Sequence, residues 1–158
     1  MPRADGLPVG PLYPQILASG IPAGMHEDGV HIAPHNPWFA LHYATTGLNV
    51  LGQQINPGQQ ISRQQALHAY TRGNAWYMNR ENELGSIEKG KFADLVVLDR
   101  DFFTASDADM RKIRPVLTVV AGKVVHDSGV LHFDRDDDDR GHDRDDDDDD
   151  DRGHGKGR

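Results

Sequence analysis

Leu84-Gly85-Ser86-Ile87-Glu88-Lys89-Gly90-Lys91-Phe92-Ala93-Asp94-Leu95-Val96-Val97-Leu98-Asp99 is the stretch that decides the fold of this chain. Gly85 and Gly90 bracket a turn-rich segment, because glycine accepts the backbone angles that tight turns demand. Ala93 to Asp99 is a continuous apolar run closed at both ends by Asp. Such a run, without polar alternation, predicts a strand buried on both faces.

Reading outward toward the C-terminus, Asp107 to Lys112 suggests one helical turn. Val116 to Val120, the pair Ala121-Gly122 and Lys123 to His126 predict a β-hairpin. A weak further strand is expected at Val130–Phe133. Toward the N-terminus, Ser62-Arg63-Gln64-Gln65 fits a capping box, with the Ser side chain and the Gln side chain each satisfying a free backbone N–H. Behind it Ala66, Ala69, Tyr70, Gly73, Trp76 and Tyr77 fall on one stripe, so a helix is expected over about 63–78. Residues 48–60 read as loop. Asn36 is an N-cap with Pro37 at the first helical position, and Gly47 is a good C-terminal stop, which gives a helix over about 37–46. Leu12 to Ser19 reads as the last turns of a helix, stopped by Gly20, and residues 1–11 as loop. Ile21 to Met25 is a brief apolar run, expected as a buried strand at about 21–26 that delivers His26-Glu27-Asp28-Gly29.

Composition narrows the function classes. The 158 residues carry a formal charge of −8, but the segment from Asp134 to Arg158 holds thirteen Asp, five Arg and one Lys and accounts for −7 of it. The remainder is near neutral, which removes the electrostatic case for nucleic acid or for an anionic membrane surface. There is no cysteine, so disulfides and thiolate metal sites are excluded. No apolar run approaches the roughly 20 residues of a membrane span, and Met1 to Gly6 lacks the charged and apolar regions of a signal peptide. A cytoplasmic protein is the expectation. The Asp-rich tail, 134–158, has almost no apolar residue to bury and is expected to be disordered. It lacks a calcium-loop pattern, and its Arg residues partly neutralise it, so a solvated tail is the default reading.

The deciding stretch is similar to the "G-S-I-E-x-G-K-x-A-D-L-V-V-L-D" segment near the C-terminus of the amidohydrolase superfamily. Ile61 to Thr71 resembles that family's "S-x-E-E-A-L-x-x-Y-T" helix, and Val116 to Val125 its closing "V-x-x-T-x-V-x-G-K-x-V" hairpin. Pro37 to Gly47 is similar to a segment of amidohydrolase family 3, of the N-substituted formamide deformylase-like type. The resemblance covers roughly residues 12–127. It implies an α/β protein: the last β/α unit of a TIM-like metal-dependent hydrolase barrel in residues 1–80, and strands of a small composite β-sandwich in 81–133.

The same resemblance implies a hydrolase acting on carbon–nitrogen bonds other than peptide bonds, with a small amide-type molecule as substrate. In such enzymes a divalent metal, usually zinc, lowers the pKa of a bound water, and a carboxylate after the eighth strand binds the metal and shuttles a proton. Asp28 is the match for that carboxylate, both as catalytic group and as metal ligand. The family commonly has a small residue, Ser and Asp at this point. This chain has His26-Glu27-Asp28, so Glu27 replaces Ser, and His26 and Glu27 become candidate contacts to the metal surroundings or to substrate. The family's first-strand His-x-His pair, its bridging Lys or Glu and its later His ligands have no match in these 158 residues. A catalytic zinc needs about three protein ligands, so the chain alone is expected to hold no metal, to be inactive and to be only partly stable, with the missing N-terminal barrel portion as its expected partner.

Plainer readings compete. An Asp before Gly is common in turns. His31 and His35 have helical ligand spacing, but Pro34 argues against a helix there, and loop histidines are the better reading. Trp38, Phe39, Tyr43, Trp76 and Tyr77 read as packing. The rival to a hydrolase is a non-catalytic remnant or interaction module with a solvated acidic tail.

Overall fold

The computed structural model describes residues 10–29 and 35–131. Five short α-helices and one π-helical turn precede and flank a three-stranded antiparallel sheet, a mixed α and β arrangement. The elements are α1 (Tyr13–Ala18), α2 (Pro37–Thr46), α3 (Arg63–His68), the π turn (Ala69–Gly73), α4 (Asn74–Tyr77), β1 (Leu95–Leu98), α5 (Asp107–Met110), β2 (Pro115–Val120) and β3 (Lys123–Asp127).

The helix ends follow from their capping residues. The Asn36 side chain accepts from the Trp38 N–H at 2.9 Å, and Gly47, at φ 73°, closes α2 with its N–H on the Tyr43 carbonyl at 2.8 Å. Ser62 Oγ accepts from the Gln65 N–H at 3.1 Å while Gln65 Oε1 accepts from the Ser62 N–H at 2.9 Å, a complete capping box.

The sheet explains the deciding stretch. β1 pairs antiparallel with β2, and β2 with β3. Ala121 and Gly122 both have positive φ, 49° and 78°, as a two-residue hairpin turn of this hand requires. The two Asp residues flanking the apolar run are fasteners. Asp94 Oδ1 accepts from the Ala121 N–H at 2.6 Å, and Asp99 Oδ1 from the Arg114 N–H at 3.1 Å, so each end of β1 is tied to the hairpin. Lys91 is structural too: its ammonium donates to the Glu81 carbonyl at 2.7 Å and to Ser86 Oγ at 2.6 Å, which gathers the turns before the strand.

Met25, Leu41, Ala44, Ile61, Ala66 and Phe102 are among the residues of one buried cluster, with Met110 and Ile113 beside them. Arg63 ties the helices to the segment after β1: it donates to the Phe102 carbonyl at 2.7 Å and to Asp107 Oδ1 at 2.9 Å, with its guanidinium 6.0 Å from the Phe102 ring centre. A bidentate use of Arg with ring stacking is what its planar fork favours over Lys.

Three expectations are corrected. Ile21–His26 is not a strand; it runs without a sheet partner among the described residues and packs on the π turn instead. An apolar run of that length becomes a strand only where a neighbour offers its backbone. β1 is not buried on both faces: Val96 and Val97, which point to opposite faces, are both exposed, and no second sheet lies among the described residues. Val130 and Leu131 form no strand. His31, Pro34, the end of the Val130–Phe133 segment and the Asp-rich tail from Asp134 lie outside the described residues.

Candidate active-site segment and its cleft

The segment His26-Glu27-Asp28 hangs on the π turn. A π turn carries one residue more than an α-helical turn and leaves backbone groups available to outside partners. Here the Ala69 carbonyl accepts from the Met25 N–H at 3.3 Å. The Asn74 side-chain amide donates both to the Met25 carbonyl at 2.7 Å and to the Tyr70 carbonyl at 2.9 Å. Both backbone groups of Met25 are therefore fixed by residues of the π turn and its first following position. Gly73 permits the approach: a Cβ there would meet the Ala23 carbonyl oxygen and lie 3.2 Å from Gly24 Cα.

The three side chains then diverge. Glu27 turns inward. The Tyr70 hydroxyl donates to its Oε2, its Oε1 lies 3.8 Å from His35 Nδ1, and its side chain is 12% exposed. His26 is exposed and Asp28 is exposed, and Asp28 has no side-chain hydrogen-bond partner among the described residues. His26 and Glu27 open onto a cleft of about 560 Å³ between α1, α2 and the 48–55 loop; Asp28 does not line it. Tyr13, Phe39, His42 and Tyr43 form aromatic walls of this cleft, and Leu48, Val50 and Ile55 close its apolar side.

Burial sets the protonation of these walls. The Tyr13 hydroxyl is pushed up to about 12 by burial, with Tyr43 adding to the effect. Burial also raises Tyr43. His42 is held below its ordinary value by burial first and then by Arg111, with Arg63 adding to it against an opposing pull from Asp107. Burial thus favours the neutral forms of Tyr13, Tyr43 and His42 in these walls.

Sequence reading placed Asp28, Glu27 and His26 together by adjacency. It did not find Tyr70, Asn74, Tyr13 or His42 as their neighbours. Tyr70 and Asn74 stand four apart on one helix face, and that spacing was the available signal. Phe39 and Tyr43, expected as packing, line the cleft, whereas Trp38 does pack against the buried cluster.

The family model described as "Amidohydrolase family" matches residues 2–126. The chain belongs to the amidohydrolase family. It is 31% identical over 113 residues, 72% of this chain, to an N-substituted formamide deformylase of Arthrobacter pascens. It is 34% identical over 80 residues, 51% of this chain, to an imidazolonepropionase of Bdellovibrio bacteriovorus. In each case the match spans 19% of the relative's own length. No solved structure matches. The amidohydrolase family is generally metal-dependent. Among the described residues no three His, Asp or Glu side chains converge on one point, and Asp28 shares neither the burial of Glu27 nor its contact with His35. This described donor set does not fit a catalytic metal by itself. No helix among the described residues is long and apolar enough to cross a membrane.

Proposed function

We propose that this chain forms the last β/α unit and part of the β-sandwich of a TIM-like amidohydrolase, which cleaves carbon–nitrogen bonds other than peptide bonds in small amide-type molecules. A cytoplasmic setting belongs to the same proposal. Asp28 is the carboxylate this chain contributes: it takes a proton from the attacking water and delivers it to the leaving nitrogen, a task suited to an exposed carboxylate at the end of a fixed segment. Asp28 would also serve as one zinc ligand of such an enzyme, and the other ligands would come from the rest of the barrel, outside the segment these residues match. The supporting observation is that the family match runs through the segment whose backbone Ala69 and Asn74 fix on both sides of Met25. A carboxylate three residues beyond a doubly anchored backbone is well placed to act reproducibly.

The chain alone is expected to show no turnover. Complemented with the N-terminal barrel portion of a family relative, it is expected to hydrolyse members of a panel of N-substituted amides, and Asp28→Asn to lower kcat by about a hundred- to ten-thousandfold, the usual worth of a positioned acid–base group. Turnover by Asp28→Asn at the parent rate refutes the role of Asp28. The exposed Asp28 carboxylate, without a side-chain partner among the described residues, favours one second reading, a non-catalytic interaction module, and absence of turnover from the combined preparation would select it.

A further inference from the structure

We propose that the cleft between α1, α2 and the 48–55 loop is a binding site for a small organic ammonium ion with an apolar body. Among the described residues Glu27 is the only acidic side chain lining this cleft, and no Lys or Arg lines it. Its carboxylate is mostly withdrawn from water, is steadied from behind by the Tyr70 hydroxyl, and meets no Lys or Arg among the described residues. A carboxylate withdrawn from water without a cation is costly, and a cationic ligand relieves that cost. The partner at 3.8 Å, His35, is 78% exposed at its side chain, so water screens whatever charge it offers the carboxylate.

The remaining walls suit the rest of such a ligand. Tyr13 and Tyr43 stack edge to face, with ring centres 6.3 Å apart, and Phe39 lines the cleft beside them. Aromatic faces attract an ammonium group when water is excluded. Leu48, Val50 and Ile55 offer apolar contact at the loop side, and about 560 Å³ is a normal size for a small-ligand cleft. A carboxylate ligand would meet Glu27 as a like charge, and a neutral isostere would leave it uncompensated. An amine is also what carbon–nitrogen hydrolysis releases, so the cleft would hold the leaving side of the reaction; that placement rests on the hydrolytic reading, whereas ammonium binding does not.

The test is calorimetry on the full chain near neutral pH with three probes of one shape: 2-phenylethylammonium, 2-phenylethanol and 3-phenylpropanoate. The ammonium is expected to bind one to one, the alcohol roughly ten- to a hundredfold more weakly, the worth of one charged contact, and the carboxylate not at all. Glu27→Gln is expected to reduce the ammonium to the level of the alcohol. Equal binding of ammonium and alcohol, no binding of the ammonium at millimolar concentration, or unchanged ammonium binding in Glu27→Gln overturns the proposal. If that variant does not fold, the three probes on the parent chain still decide. Turnover with and without Asp28 is read separately, so failure of either idea is visible without the other.

Discussion

Replacing Asn74 by Ala removes the one side chain that holds the Met25 carbonyl. Two hydrogen bonds go, at 2.7 Å to Met25 and 2.9 Å to Tyr70. The Met25 carbonyl belongs to a buried residue, and leaving a buried acceptor unpaired costs about 1–3 kcal/mol. The Tyr70 carbonyl sits in the π turn and adds about 1 kcal/mol or less. Alanine is the better helix former and returns about 0.5 kcal/mol. The net loss is about 2 kcal/mol. With a urea slope of about 2 kcal/mol per molar for a chain of this size, the unfolding midpoint is expected to fall by about 1 M. Urea denaturation followed by far-UV circular dichroism measures this, and amide hydrogen exchange at Met25 localises it. Asn74→Asp keeps the shape but sets a carboxylate against two carbonyl oxygens, so it should cost more than Ala. A midpoint that stays within about a tenth of this shift, or protection at Met25 equal to the parent's, would refute the clamp.

Two further outcomes follow from the same structure. Gly73→Ala pushes a methyl onto the Ala23 carbonyl oxygen and should destabilise by about 1–3 kcal/mol through overpacking; an unchanged thermal midpoint would show that the segment yields freely. His42 has a folded-state pKa below its ordinary 6.5, chiefly through burial, so the unfolded chain binds a proton more readily. Its stabilising contribution is full above about pH 6.5 and is lost as pH falls through the folded value. Glu88, Asp99 and Asp109, held low first by hydrogen bonds from Ser86, Arg100 and Ser106 respectively, begin to lose theirs only at more acid pH, in the ordinary carboxylate range, and finish below it. Denaturation midpoints against pH should therefore show a first decline starting near pH 6.5 that is absent in His42→Gln.

Local signals in the sequence carried most of the helices. Asn36-Pro37, Gly47 and the Ser62–Gln65 box act through bonds within four residues, so spacing alone reveals them. The hairpin was readable for the same reason, since Ala121-Gly122 must turn within two residues. The failures were all long-range. Ile21–His26 has the composition of a strand, but only a neighbouring backbone makes it one, and its neighbour is the π turn 43 or more residues on. The doubly buried reading of β1 assumed a covering sheet that composition cannot supply. The site divided likewise: Glu27 stood out as an unusual residue in the motif, but its contact with Tyr70 spans 43 positions and leaves no periodic trace. The π turn itself is invisible to a 3.6-residue period, because it adds a residue without changing which residues are apolar.

That extra residue makes the helix a ruler with a deliberate miscount. Each residue of an α-helix advances the face by about 100°. Deleting any one position between Ala69 and Gly73 would restore regular winding and preserve most of the buried stripe before it. It would also return the backbone around Ala69 to ordinary helical bonding and close the opening through which the Ala69 carbonyl reaches the Met25 N–H. The spelling of this helix could therefore drift at many exposed positions while its length stays fixed. Insertions and deletions here would act on the site even where no residue touching it had changed.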